Sequence, residues 1–157
     1  MNDTFNDSID LSFLNDKQIA IVGSSGVLLD HKLGNEIDNH DYIVRFNAAP
    51  TDGFEEFVGN RTNFRCMNAH TYAGTTDKSR FTKYDPNFLD RLENQTIITH
   101  NKNFTKSKKI RDKNSILEIS RNFFSKVAKM GNCPEASTGM WGVNPYKFIL
   151  SVNCVNM

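Results

Sequence analysis

Apolar residues fall along this chain in short runs separated by glycine, proline and polar clusters, and the runs are of two kinds. The first kind is nearly continuous and rich in β-branched residues. Gln18 to Gly23, "QIAIVG", is bounded by glycine and predicts a strand covered on both faces. Asp41 to Phe46, "DYIVRF", predicts a second strand, ended by Pro50 and the Asp52-Gly53 turn. Phe64 to Met67 predicts a third, and Gln95 to His100 a fourth, because Thr96, Ile97, Ile98 and Thr99 are all β-branched.

The second kind is spaced. Val27 to Asp38 mixes leucines with polar residues around Gly34, which predicts a helical turn or a helix interrupted near that glycine. Ser115 to Met130 places Ile116, Ile119, Phe123 and Val127 three or four apart, with Lys126 and Lys129 ahead of Gly131, which predicts an amphipathic helix. Gly74 to Asp85 is polar and basic and reads as a loop. Residues 1–16 read as a flexible arm with a short apolar turn at Leu11, Phe13 and Leu14, leaving 17–157 as one folded domain. Strands alternating with helices imply an α/β fold with a mostly parallel sheet, whose ligand sits at the carboxyl ends of the strands.

A chain of 157 residues is long enough to bury a core without staples. With 19 basic and 18 acidic residues the net charge is +1, so no overall field draws in nucleic acid or an anionic membrane. Cys66, Cys133 and Cys154 include no Cys-x-x-Cys pair and read as ordinary thiols of a reducing compartment, with a bridge through Cys133 left open. The first eighteen residues lack a basic start and a long apolar run, so a soluble, cytoplasmic chain without a membrane segment is expected. Asn60-Arg61-Thr62 and Asn94-Gln95-Thr96 match the glycosylation pattern at the level chance supplies in an Asn-rich chain.

Gly23-Ser24-Ser25-Gly26, directly after the first strand, suggests backbone amides open to an anion, with glycines allowing close approach and positive φ. It lacks the third glycine of a dinucleotide fingerprint, the Gly-Lys-Ser/Thr of a Walker loop, and the second glycine of a nucleophile elbow, since Val27 stands there. Taken alone, the tetrapeptide is a plain strand-to-helix turn. Downstream, however, come Ile37-Asp38-Asn39-His40, Arg45-Phe46-Asn47-Ala48-Ala49-Pro50 and Val58-Gly59-Asn60-Arg61-Thr62, in that order.

This ordered series resembles the large sialyl motif of the sialyltransferases, glycosyltransferase family 29. Ala136-Ser137-Thr138-Gly139 is similar to the opening of the family's small sialyl motif. The resemblance implies a Rossmann-type, GT-A-like sheet flanked by helices that binds CMP-sialic acid without a metal or other cofactor. It also implies that Ser24, Ser25 and Asn47 lie against the cytidine monophosphate, and that Ser137, Thr138 and Gly139 contact the ribose or the sialic acid carboxylate. The partners it implies are CMP-sialic acid and a glycan acceptor.

Several positions depart from the family pattern. Ser24 replaces an asparagine, Ala136 replaces a proline, and Ile19 stands where animal members carry a disulfide-forming cysteine. No residue matches the family's late catalytic histidine, so the catalytic base is unassigned and a truncated C-terminus is expected. Of the four histidines, His40 reads as structural and His31 as a solvated loop side chain, while His70 and His100 follow strands. The basic stretch Lys102 to Lys113 reads as a solvated helix face, and Phe123, Phe124 and Trp141 as core. Asp38, Asp41, Glu55 and Glu56 are carboxylates near one another in sequence, with nothing to fix their geometry.

The resulting expectation is an inverting, metal-independent sialyltransferase-like enzyme. Two alternatives stay open: a truncated or inactive member that only binds a CMP-type nucleotide, and an unrelated Rossmann-type nucleotide-binding enzyme.

Overall fold

The computed structural model describes residues 12–68, 87–99 and 107–119 of the chain. Five strands, β1 (Ile19–Val22), β2 (Tyr42–Phe46), β3 (Phe64–Met67), β4 (Thr96–Thr99) and β5 (Ser115–Glu118), form one sheet in the order β1-β2-β3-β4-β5. All four pairings are parallel. Among the described residues, a 3-10 helix (Gly26–Asp30) and four short α-helices lie between the strands: α1 (Gly34–Asp38), α2 (Glu55–Val58), α3 (Phe88–Arg91) and α4 (Lys108–Arg111). This is the expected α/β sheet of Rossmann type. The helical stretch over Val27 to Asp38 is interrupted as its sequence predicts, the 3-10 helix ending at Asp30 and α1 starting at Gly34.

Alternation along each strand sorts the side chains onto two faces. One face carries Ile19, Val44, Cys66 and Ile98, with Ile119 just past β5, and Leu14 from a 3-10 turn at Ser12–Leu14 joins them. Phe13 from that turn meets Tyr42 edge-on at 5.9 Å, and Tyr42 lies 5.6 Å from Phe64. The opposite face is covered by helices in two apolar clusters. Ala20, Val22 and Ile43 pack with Leu28, Ile37 and Val58, while Met67 and Ile97 pack with Phe88, Leu92 and Ile110. Ile110 is the buried side of α4, whose lysines and Arg111 are exposed, so the described end of the basic stretch is a solvated helix face.

One expectation is overturned. Ser115 to Glu118 is not the start of an amphipathic helix but strand β5, paired with β4 from Thr96↔Ser115 to Thr99↔Glu118. Ile116 and Leu117 face opposite sides of the sheet, into the two clusters, so one run satisfies a strand pattern and a helical spacing at once. Asn114 settles the choice. Its buried side chain donates to the carbonyls of Leu92 and Ile110 and accepts from the Gln95 amide, which brings Ser115 beside β4. The rest of the predicted helix, the Gly74 to Asp85 loop, His70, His100, Phe123, Phe124, Trp141, Cys133 and Cys154 lie outside the described residues. Among the described residues, no helix is long and apolar enough to cross a membrane.

The contact between α1 and α2 depends on a missing side chain. A Cβ on Gly34 would sit 1.9 Å from the carbonyl oxygen of Glu55 and 2.8 Å from that of Glu56. Gly34→Ala therefore has to push the two helices apart and is expected to cost at least about 2 kcal/mol in urea unfolding. Gly23→Ala, whose Cβ meets nothing within 4 Å, is expected to stay within about 0.5 kcal/mol. Cys66 gives a second prediction. Burial pushes its thiol up to about 12, against the opposing pull of the Arg65 charge. Its peptide should remain unlabelled by iodoacetamide at about pH 8 in the native protein and react fully in urea, because the thiolate is the nucleophile. Labelling of Cys66 without unfolding would contradict the packing described.

Candidate functional site

The carboxyl ends of β1 and β2 leave the sheet side by side. Val22 pairs with Arg45, and Ser24 and Asn47 each lie two residues beyond that pair. The chain after β2 then turns back over the helix-covered face. Ser24, Asn47, Ala48, Ala49 and Pro50 line one cavity of about 730 Å³. Arg65, Phe88, Leu92 and Gln95 also line it, as do Arg91 and Asp52, Nε to Oδ2, 3.7 Å apart. Two arginines against one aspartate give the lining a positive balance.

A smaller cavity of about 200 Å³ adjoins it, lined by Gly23 to Gly26, Leu28, Leu29, Arg45, Ala49, Pro50, Phe54 and Val58. The structure thus brings Ser24 and Asn47 to one cavity and both Ser24 and Ser25 to its neighbour. The Ser25 hydroxyl accepts from the Val27 amide at 3.4 Å, so it caps the 3-10 helix. The proposed role of glycine in the turn needs correcting. Gly23 and Gly26 do not have positive φ; what they contribute is an open surface, since a Cβ on either would meet nothing within 4 Å. Ser137, Thr138 and Gly139 lie outside the described residues.

The positive φ of this region belongs to Asn47, at 49°. Asparagine tolerates the left-handed region better than other side chains, and here the turn is held on three sides. The Asn47 amide donates to the carbonyl of Cys66 at 2.8 Å. Its side-chain oxygen accepts from the Asn68 amide at 3.1 Å, and its carbonyl accepts from Arg65 Nη1 at 2.8 Å.

Arg65 carries no signal in the sequence reading beyond being a charged residue inside an apolar run. In the structure it is 3% exposed and Arg45 1%. They are register partners on β2 and β3, on the helix-covered face. Arg45 donates through Nη2 to the carbonyls of Val58 (2.6 Å) and Arg61 (3.0 Å), and through Nε to Thr62 Oγ1 (3.0 Å). Arg65 donates through Nε to Gln95 Oε1 (2.9 Å) and through Nη1 also to the Ala49 carbonyl (3.3 Å), and its guanidinium lies 5.4 Å from the Phe88 ring centroid. Burial lowers both guanidinium groups to about 10, offset for Arg45 by Asp38 and deepened for Arg65 by the charge of Arg45. Both stay cationic at neutral pH.

The remaining motif residues are structural. Asp38 accepts from the amides of Asn60 (2.8 Å) and Arg61 (3.0 Å), and Arg61 donates back to the carbonyls of Asp38, His40 and Asp41. Gly59 closes this turn at φ 73°, with its Cα so near Asp38 that a Cβ would sit 2.5 Å from Oδ1. His40 Nδ1 bonds the Glu36 carbonyl at 2.9 Å, in keeping with a structural role, and Asp41 accepts from the Gln18 amide ahead of β1. Of the other acidic candidates, Glu55 accepts from the Gly53 amide at 2.9 Å and Glu56 pairs with Lys32. Among the described residues no group of three or more His, Cys, Asp or Glu stands where it could hold a metal ion.

Comparison with known proteins bears on the family and the fold. Residues 12–130 match the description of glycosyltransferase family 29 (sialyltransferase). The chain is 51% identical over 57 residues to the beta-galactoside alpha-2,6-sialyltransferase 2 of Takifugu rubripes, which covers 36% of this chain and 11% of that protein. It is 50% identical over 64 residues to the beta-galactoside alpha-2,6-sialyltransferase 1 of Mus musculus, covering 41% and 15%. These matches span only a small part of the length of the curated relatives. The fold is shared with a mammalian sialyltransferase crystal structure at a TM-score of 0.55 and 21% identity, covering 81% of this chain and 49% of that one. A mammalian sialyltransferase in complex with Gal-beta-1-3GalNAc-ortho-nitrophenol gives 0.56 and 22%. With the family match running through the whole described sheet and the cavity at its edge, the chain belongs to glycosyltransferase family 29, the sialyltransferases, rather than to an unrelated Rossmann-type family.

Proposed function

We propose that this chain carries the donor site of an inverting sialyltransferase that moves sialic acid from CMP-sialic acid to a hydroxyl of a glycan acceptor. The observation that carries the reading is the meeting of Ser24 and Asn47 on one cavity at the carboxyl edge of the sheet, in a chain of this family. CMP is an anion, and the cavity offers groups that suit one: Ser24 after β1, Asn47 after β2, and a positively balanced wall from Arg65 and Arg91.

In the reaction, the acceptor oxygen forms a bond to the anomeric carbon from the side opposite CMP. The bond from that carbon to the phosphate oxygen breaks, and its electron pair leaves with CMP. Phosphate is a stable leaving group, so stabilisation of its charge by fixed dipoles and cations takes the place of protonation. The same cations make the proposed mechanism independent of a metal. The acceptor proton passes to a general base, and none of the described histidines is assigned to that role. The names of the curated relatives support a β-galactoside as acceptor class. Ser137, Thr138 and Gly139 are proposed to meet the ribose or the sialic acid carboxylate.

Calorimetric titration with CMP in EDTA, with UMP as control, tests the donor site. Binding selective for CMP is expected to persist in EDTA and to weaken at least about tenfold in Asn47→Ala, the loss of a charge-assisted hydrogen bond. Equal affinity for UMP, or an Asn47→Ala variant that binds as well as the original, would overturn the reading. Release of CMP from CMP-sialic acid in the presence of a β-galactoside then separates turnover from binding alone.

A further inference from the structure

We infer that Arg65 is a positioning residue for the nucleotide site and acts through the left-handed turn at Asn47; the inference rests on the donor reading above. Asn47 holds a backbone conformation that L-residues avoid, and such a conformation persists only where its surroundings over-determine it. Two of its restraints, the carbonyl of Cys66 and the amide of Asn68, come from the backbone of β3 and the residue beyond it. Another is a side chain: Arg65 Nη1 donates to the carbonyls of both Asn47 and Ala49, on either side of Ala48.

The guanidinium has a second edge, and it is used elsewhere. Nε donates to Gln95 Oε1 ahead of β4, and the group stacks over Phe88 of α3. Arg65 therefore ties the Asn-Ala-Ala-Pro turn to a part of the chain thirty residues away in sequence from the arginine. Each of these partners, Asn47, Ala49, Phe88 and Gln95, lines the same cavity as Arg65 itself. A lysine keeps the charge but offers a point donor, which reaches one side of this bridge and not both. The arrangement makes the geometry of the planar fork, rather than its charge, the property that sets the Asn47 side chain in the donor site.

The test has one arm without ligand and one with it. In the first, hydrogen exchange is followed by NMR in the original protein, in Arg65→Lys and in Gln95→Leu, which releases Nε while leaving Arg65 in place. Arg65→Lys is expected to speed exchange of the Asn47 and Asn68 amides by about tenfold, while Val44 in β2 and Ile98 in β4 keep their protection. In the second arm, CMP affinity is measured in a double-mutant cycle with Asn47→Ala. Arg65→Lys is expected to weaken binding about tenfold in the original background and less than about twofold beside Asn47→Ala. Unchanged protection of Asn47 and Asn68 in a folded Arg65→Lys, or equal losses in both backgrounds, overturns the inference. Should Arg65→Lys fail to fold, Gln95→Leu is read by the same criteria, with a smaller change in the same direction expected. Failure of the original protein to bind CMP would contradict the donor reading, and the exchange arm alone would then decide whether Arg65 holds the turn.

Discussion

Two guanidinium groups buried side by side beneath the helices set the terms for the rest of this structure. The row across the sheet reads Val22, Arg45, Arg65, Ile97, Ile116, with cations at two successive places where an all-parallel sheet ordinarily carries aliphatic residues. Removing an ion from water costs several kcal/mol, and charge-assisted hydrogen bonds return roughly 1.5–3 kcal/mol each. Neither arginine is tolerable without several bonds. Most of the acceptors are backbone carbonyls, including those of Asn47 and Ala49 after β2 and of Val58 and Arg61 at and beyond the end of α2, and Thr62 Oγ1 and Gln95 Oε1 accept as well. The cations and the loops thus justify each other: one needs acceptors, the other needs donors, and both occupy the gap between the two apolar clusters.

This constraint separates the roles of the motif residues. The Asp38, His40, Asn60 and Arg61 positions, together with Gly59, clamp the end of α1 to the turn after α2. That clamp presents the carbonyls of Val58 and Arg61 to Arg45. Arg65 in turn holds the segment that carries Asn47. Much of a sequence pattern that signals a nucleotide-sugar enzyme is scaffolding, then, and the side chains left to face the cavity from the two strand ends are few.

Much of this was legible in the sequence. Four strands announce themselves through short apolar runs that are bounded by glycine or turn residues or rich in β-branched residues, and the family resemblance singles out Ser24 and Asn47 just beyond two of them. β5 was hidden because Ile116, Leu117 and Ile119 fit a helix as well as a strand, and the arbiter is Asn114, whose contacts are all long-range or made to the preceding helix. Arg65 was hidden for a related reason. An arginine within a short apolar run looks like the solvated face of an edge strand, and only the register with Arg45 and the return of the 47–49 segment turn that face inward. The left-handed turn at Asn47 had no distinct signature either, because its cause lies in residues 65, 66 and 68.

The central claim is that the arginine-held turn after β2 and the glycine-bounded turn after β1 form two sides of one nucleotide site. A crystal structure of the chain with CMP bound tests it most directly. The account predicts the nucleotide in the cavity shared by Ser24 and Asn47, with both side chains within hydrogen-bond distance of it and Asn47 still left-handed. A nucleotide seated elsewhere on the sheet, or one contacting neither residue, would contradict it.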